Sequence, residues 1–395
     1  MISAPLQEQT LLLCRALIAA ESLSGAEQNA VACMKAAFTR LGYDRVQIDR
    51  YGSIVGTIEG SRPGPHILLD AHIDTVPVDA TPAWVHPPFA GEVADGKLFG
   101  RGTSDMKGAL AAMSVACSAF AASNNRDFAG SVSVAAVVCE ELFEGLGARS
   151  VCELVKPDYV IIGEASERNL KIGQRGRAEV VVETTGVPAH SANPQKGVNA
   201  VTSMRKLLDA MDTIQPPHSE KLGDGILVLT DLISSPYPGS SVLPKGCVAT
   251  FDRRTLTGET EESVLAPVRA CIERLAREDA SFQAKTYIRE GSIRCYTGET
   301  ITAKRFFPAW EEEDTAAYVQ QSLAALRSVR PETALSAYSF CTNGSYYAGE
   351  AGIKTLGYGP SLESLAHTTD EYISLDALYE AVEGYQAILS ALTNL

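Results

Sequence analysis

Positive charge is scarce in this chain. Its 395 residues carry 34 Lys and Arg against 48 Asp and Glu, a formal net charge of -14. That balance repels phosphate backbones and excludes nucleic acid as an expected partner. Histidine is scarcer still, at six residues, so each one in a patterned context carries weight. Nine cysteines are scattered with no Cys-x-x-Cys pair, which leaves no thiol-based metal or redox motif. Dispersed thiols of this kind are expected to be buried and reduced, as in the cytoplasm. The N-terminal apolar run Leu11–Ala20 is interrupted by Arg15 and lacks a preceding cationic stretch. It is too short to span a bilayer, so neither a membrane partner nor a secretory signal is expected. No Gly-x-Gly-x-x-Gly follows an early strand pattern, which argues against dinucleotide chemistry. Internal repeats and low-complexity stretches are missing too.

What is present suits a soluble chain of two domains, with 45% hydrophobic and 21% charged residues. Apolar spacing predicts helices over Gln7–Glu21 and Ala26–Leu41, then strands at Arg45–Asp49, Ser53–Ile58 and His66–Ala71. Pro77–Gly100 reads as an irregular loop. Asp105–Ala122 reads as a long small-residue helix capped by Ser104 or Asp105. Strands at Ser131–Glu141 and Asp158–Glu164 flank a helix near Gly147–Val155. The character then changes. From Ala178 to Arg289 the order is β-α-β-β-α-β, which suits a small ferredoxin-like domain. The first style returns later, with a strand at Lys354–Tyr358 and a helix at Leu375–Leu392. The expected fold is therefore α/β: a discontinuous domain of residues 1–175 and 298–395, interrupted by an inserted α+β domain of residues 176–297.

Three apolar runs end in residues that bind metals. Ile67–Leu69 is closed by Asp70-Ala71-His72-Ile73-Asp74, Val132–Val138 by Cys139-Glu140-Glu141, and Tyr159–Gly163 by Glu164. Short apolar runs bounded by turns read as buried strands, and open α/β sheets bind ligands beyond their carboxyl ends. Together they point to one site rich in oxygen and imidazole ligands. His72 and Asp74 face the same side of a strand, so Asp74 is placed to orient the ring. Gly100–Gly108 crowds glycines into a loop ahead of a helix, and Asp105 there can aim its two oxygens at two cations. Taken alone it is equally a helix cap. Adjacent Glu140 and Glu141 point to different sides, so one can bind metal while the other meets a water. His367 lies just before the last helix. His190 sits within the inserted domain, so it is not expected among the same ligands. His66, His86 and His218 have no comparable context.

In this order, the segments Asp70–Pro77, Gly100–Gly108, Glu140-Glu141, Glu164 and His367 resemble the ArgE/DapE/aminoacylase/glutamate carboxypeptidase family of cocatalytic metallopeptidases. Arg305–Trp310, Cys341–Gly344 and Gly357–Pro360 resemble its YgeY-type branch. Ser241 departs from the Asn found there in many relatives. The resemblance implies a mixed-sheet zinc-peptidase domain with an inserted ferredoxin-like lid that dimerises. It implies two Zn²⁺, replaceable by Co²⁺ or Mn²⁺, bridged by Asp105, with His72 and Glu164 on one ion and Glu141 and His367 on the other. Glu140 would be the general base. His190 would reach the active site from the partner of a homodimer, and Arg254 would clamp a substrate carboxylate. Asn343 and Gly344 would touch the substrate backbone. The implied activity is hydrolysis of an amide in a small N-acyl amino acid or peptide-like substrate. A dipeptidase or aminopeptidase, or a metal-binding relative without catalysis, stands as the alternative.

Overall fold

The apolar runs of the sequence become neighbouring parallel strands. The computed structural model describes residues 2–79 and 83–395, so Ala80–Pro82 of the expected loop lie outside the described residues. The chain divides into two compact units. The larger holds the chain up to Gln174 with Ser292–Ile301 and Trp310–Leu395; the smaller holds Arg175–Gly291 with Thr302–Ala309. The expected boundary at 298 is thus displaced. Thr302–Ala309 belongs with the smaller unit, where Phe306–Phe307 pairs with the Gly176–Thr185 strand.

In the larger unit a mixed nine-stranded sheet has four parallel strands side by side at its centre. They run in the order Ala129–Val137, Arg62–His72, Tyr159–Ile162, Lys354–Gly357. Their residues are almost wholly buried towards the carboxyl ends, as expected for strands covered on both faces. Antiparallel strands flank them, with Ile54–Glu59 and Arg45–Ile48 on one side and Leu170–Gln174 and Trp310–Glu311 on the other. The expected loop after Pro77 contains two short paired strands, Glu92–Ala94 and Lys97–Phe99, to which Tyr372–Ser374 adds.

The helix Gly108–Ser123 is apolar all round, and only together with the turn Thr103–Lys107 is the segment long and apolar enough to cross a membrane. It is instead a core helix, packed against the strands Arg62–His72 and Ala129–Val137 and the helices Ala4–Ala19 and Leu375–Leu392. It was expected to begin at Asp105. The five residues before it, Thr103–Lys107, form an irregular turn in which Asp105 has φ -130° and ψ 90°. A helix continued back through them would turn Asp105 into an ordinary cap; the turn leaves its carboxylate aimed elsewhere.

The smaller unit has the expected β-α-β-β-α-β order. Its antiparallel sheet runs Ile226–Ser235, Gly246–Thr255, Gly176–Thr185, Gln283–Ile288. Helices Ala200–Met211 and Glu261–Glu278 pack on one face through Val180, Val182, Ala249, Met204, Leu207 and Val268. Local chemistry starts both helices. Asn199 accepts the N–H groups of Val201 and Thr202, and Thr260 with Ser263 forms a capping box.

Candidate metal centre

Each of the four central parallel strands delivers part of one cluster. His72 is the last residue of its strand. Its Nδ1 lies 2.9 Å from the carbonyl of Asp74, so the neutral ring carries its proton there and presents a lone pair at Nε2. That Nε2 lies 2.9 Å from Asp105 Oδ1 and 3.5 Å from Glu164 Oε1. Glu164 follows the Tyr159–Ile162 strand by two residues. His367 lies beyond the fourth strand, in the left-handed region at φ 61°. Its Nε2 lies 3.1 Å from Asp105 Oδ2 and 3.0 Å from Glu141 Oε2. The two oxygens of Asp105 therefore face two different imidazoles. His72, Glu140 and Glu164 also converge, with ligand atoms within 4.8 Å of one another.

The turn after the Ala129–Val137 strand separates Glu140 from Glu141. Cys139 adopts φ 61°, an uncommon conformation for a residue with a side chain. Two buried carboxylates hold that turn. Glu27 accepts the N–H of Cys139 at 3.1 Å. Asp74 accepts the N–H groups of Glu140 at 3.1 Å and Glu141 at 3.2 Å, and the hydroxyl of Ser24 at 2.7 Å. The sequence suggested Asp74 as the orienter of His72. In the structure its carbonyl does most of that, since the carboxylate stands 3.6 Å from the ring and is spent on the Glu140 turn. Glu27 has no motif around it that distinguishes it from a surface acid.

The electrostatics of the cluster call for cations. Burial, then the nearby acids, hold Glu140 well above the ordinary carboxylate range. Burial and the Asp105 charge push Glu164 up to about 8, although His72 opposes them. Burial disfavours charge on His72, but Asp105, Glu140 and Glu164 outweigh it and hold the ring well above the usual histidine value. Hydrogen bonds to Asp105 and Glu141 raise His367 to about 10. Glu141 Oε1 is buried with no hydrogen-bond partner among the described residues. Four ionised carboxylates against two imidazoles would be an excess of buried negative charge, which the cluster avoids without cations only by holding protons. The donor set, nitrogen and oxygen without thiolate, fits two divalent ions of the zinc, cobalt or manganese type.

Four further residues singled out in the sequence lie elsewhere. In the smaller unit, Arg254 donates through Nε to Asp252 at 2.7 Å, and Arg177 shares the same carboxylate. His190, in an exposed turn, accepts the Ala192 N–H at Nδ1, which leaves its neutral ring a donor at Nε2. Asn343 and Gly344, the suggested substrate contacts, are engaged within the protein. Asn343 is buried; its amide donates to Asp70 at 2.9 Å and its oxygen accepts the Gly145 N–H at 2.9 Å. The Gly344 N–H donates to Thr342, and a Cβ there would meet Trp310 at 2.5 Å. Both positions are tied into the surrounding fold. Asn343→Ala leaves Asp70 one partner short in a buried site. It is expected to lower stability by about 1–3 kcal/mol in urea denaturation with KM unchanged; a raised KM at unchanged stability would restore the substrate role.

A cluster of acids and imidazoles at the carboxyl ends of parallel strands, with one carboxylate shared between two imidazoles, defines a dinuclear metallohydrolase site on a doubly covered sheet. The chain belongs to peptidase family M20/M25/M40, whose pattern matches residues 68–391. Among its relatives is the uncharacterized Escherichia coli protein YgeY, 29% identical over 380 residues, covering 95% of this chain and 92% of that one. Succinyl-diaminopimelate desuccinylase of Marinobacter nauticus is 27% identical over 404 residues, covering 96% of this chain and 97% of that one. Among solved structures, aminopeptidase PepT of Bacillus cereus superposes with a TM-score of 0.76 at 20% identity, over 98% of both chains. Human carnosine dipeptidase 1 gives 0.70 at 17% identity, over 98% of this chain and 97% of that one. These likenesses establish the fold: a mixed-sheet catalytic domain carrying a separate antiparallel α+β unit.

Proposed function

We propose that this chain hydrolyses an amide bond in a small N-acyl amino acid or peptide-like substrate, with Glu140 as general base. One observation carries the reading. Glu140 is a buried acid beside the His72 and Glu164 pair, beyond what the two imidazoles and the bridging Asp105 need. With Asp105 shared, each ion has three protein ligands without it. His72 and Glu164 would hold one ion, His367 and Glu141 the other, and Asp105 both. Bound there, the ions would supply Lewis acidity towards the scissile carbonyl and towards a water. Glu140 takes the proton of the attacking water and passes it to the leaving nitrogen, a task suited to a carboxyl whose pKa is raised by burial. Asp74 and Glu27 keep its turn from relaxing.

The same reading gives the developing oxyanion a donor in the Nε2–H of His190 from a second copy. A homodimer is supported by the edge strand Ile226–Ser235. Only one of its edges is paired among the described residues, and Val228, Leu232 and Ile233 are each about half exposed. Long apolar edges of this kind are normally covered. An equal mixture of Glu140→Ala and His190→Ala chains, each inactive alone, is expected to recover roughly a quarter of wild-type turnover, since half the dimers are mixed and each has one intact site. No recovery in a mixture shown to exchange subunits would remove the trans histidine. Arg254 is the candidate for a free substrate carboxylate, through its forked donors.

The deciding experiment is amine release by the Zn²⁺-loaded protein from N-acetyl and N-succinyl amino acids, dipeptides and their C-terminal amides. Turnover of the acyl amino acids supports the deacylase reading. Turnover confined to substrates with a free α-amine would replace it with a dipeptidase or aminopeptidase. An Arg254→Ala protein that treats acids and amides alike would leave Arg254 without its role.

A further inference from the structure

The bridging position of Asp105 is not secured by its own helix. Thr103–Lys107 is irregular, and Gly102 before it lies at φ 86°, where a Cβ would meet Thr75 at 2.9 Å. The exposed ends of its peptide groups are taken instead by one carboxylate more than 260 positions away. Glu371 is fully buried. Its Oε1 accepts the N–H of Ser104 at 2.7 Å and of Asp105 at 3.1 Å. Its Oε2 accepts the N–H of Gly102 at 3.0 Å and the Arg101 Nη1 at 2.7 Å. The backbone joins in, with the Gly100 N–H donating to the Glu371 carbonyl at 2.8 Å and the Ser104 hydroxyl to the Tyr372 carbonyl at 2.6 Å.

We propose that Glu371 is the positioning residue for Asp105: it clamps the Gly102–Asp105 turn so that the two Asp105 oxygens face His72 and His367. This rests on the dinuclear reading of the cluster. Glu371 touches neither imidazole; it acts through the backbone of Asp105. Four charge-assisted or backbone hydrogen bonds on one carboxylate restrict the turn more than a single contact could. The segment has a second function. His367 lies four residues before Glu371, so one stretch of chain brings both a metal ligand and the clamp on the carboxylate that ligand faces. The His367 to Asp105 spacing is thereby set by a single short segment. Arg101 balances the charge of Glu371, so the clamp adds no net charge beside the ligands. The burial of an acid next to Asp105 would be hard to account for if a helix cap were all that was needed, since Asn or Ser would cap with less desolvation.

The test compares the full-length wild type with Glu371→Gln, which keeps size and shape but replaces one acceptor oxygen with a donor. Zn²⁺ affinity is read by competition with a chromophoric chelator, and ligand geometry by the visible spectrum of the Co²⁺-loaded protein. Partners that orient metal ligands typically carry about 10–100-fold in affinity, and that loss is expected for at least one ion. The Co²⁺ spectrum should shift, a readout that the loss of stability from the unpaired Arg101 would not by itself move. Should Glu371→Gln fail to fold, Glu371→Asp decides. It keeps the charge but is one methylene too short to reach all four donors, so it is expected to show the same loss in weaker form. Either folded variant binding both ions with wild-type affinity and an unchanged spectrum would overturn the proposal. A wild type that takes up no second ion would instead overturn the dinuclear reading beneath it.

Discussion

Glu140→Ala is expected to cut turnover by about 10²- to 10⁴-fold, the usual worth of a general acid–base group. Both ions should stay bound. The side chain lies beside His72 and Glu164, but in the proposed assignment Asp105 completes that ion's ligands without it. Its turn is held through backbone N–H groups by Asp74, so the shape of the turn survives the truncation. The expected pattern is therefore a fall in kcat, little change in KM, and two equivalents of Zn²⁺ after dialysis. Stability in the metal-free state should not fall, because burial and neighbouring acids already disfavour the Glu140 charge. A variant that loses an ion along with its activity would make Glu140 a ligand, and the base would have to be sought elsewhere.

Chelation is expected to abolish turnover and to give the protein a pH-dependent stability that the loaded form lacks. Without metal, Glu164 keeps its proton up to about 8 and His367 up to about 10. The unfolded chain releases those protons near the ordinary values of 4.5 and 6.5. Between roughly pH 4.5 and 10 the folded state thus binds more protons than the unfolded one, and unfolding free energy falls as pH rises. Bound cations replace those protons, so the loaded protein should show a flatter profile across the same window. Free metal at 100 times its dissociation constant adds about 2.7 kcal/mol by mass action alone. Urea midpoints at several pH values, with and without chelator, measure both effects. Metal-free and loaded profiles that coincide would mean that the cluster holds no ion.

The ligand-bearing strand ends are legible in the sequence because apolar runs and the acids that follow them are contiguous. Asp70–Asp74, Cys139–Glu141 and Gly163-Glu164 each combine a buried strand with its functional end. The split of the chain into two units is legible for the same reason, through the change to β-α-β-β-α-β order. Positions held by distant partners are not. Nothing near Asp105 in sequence shows that its turn is irregular, because Glu371 holds it from the C-terminal segment. Glu27 supports the Glu140 turn from the start of a helix more than 110 positions earlier. The resemblance makes Asn343 a substrate contact, and only the structure shows its amide engaged by Asp70 and Gly145. A motif reports residue type and spacing; it does not report which donors are already engaged.

The strand order also dictates a timetable. Lys354–Gly357 lies between Tyr159–Ile162 and Leu170–Gln174, two strands made long before it. A growing polypeptide that has not reached residue 354 has a gap in the middle of its principal sheet, while the smaller unit, complete by residue 309, has all its strands. The last ligand, His367, emerges later still. Contacts this distant along the chain form slowly. The proposed metal site therefore cannot be completed until the segment carrying His367 has been made. A nonsense mutation between residues 310 and 354 would yield a product with a complete smaller unit and an unfinished larger one.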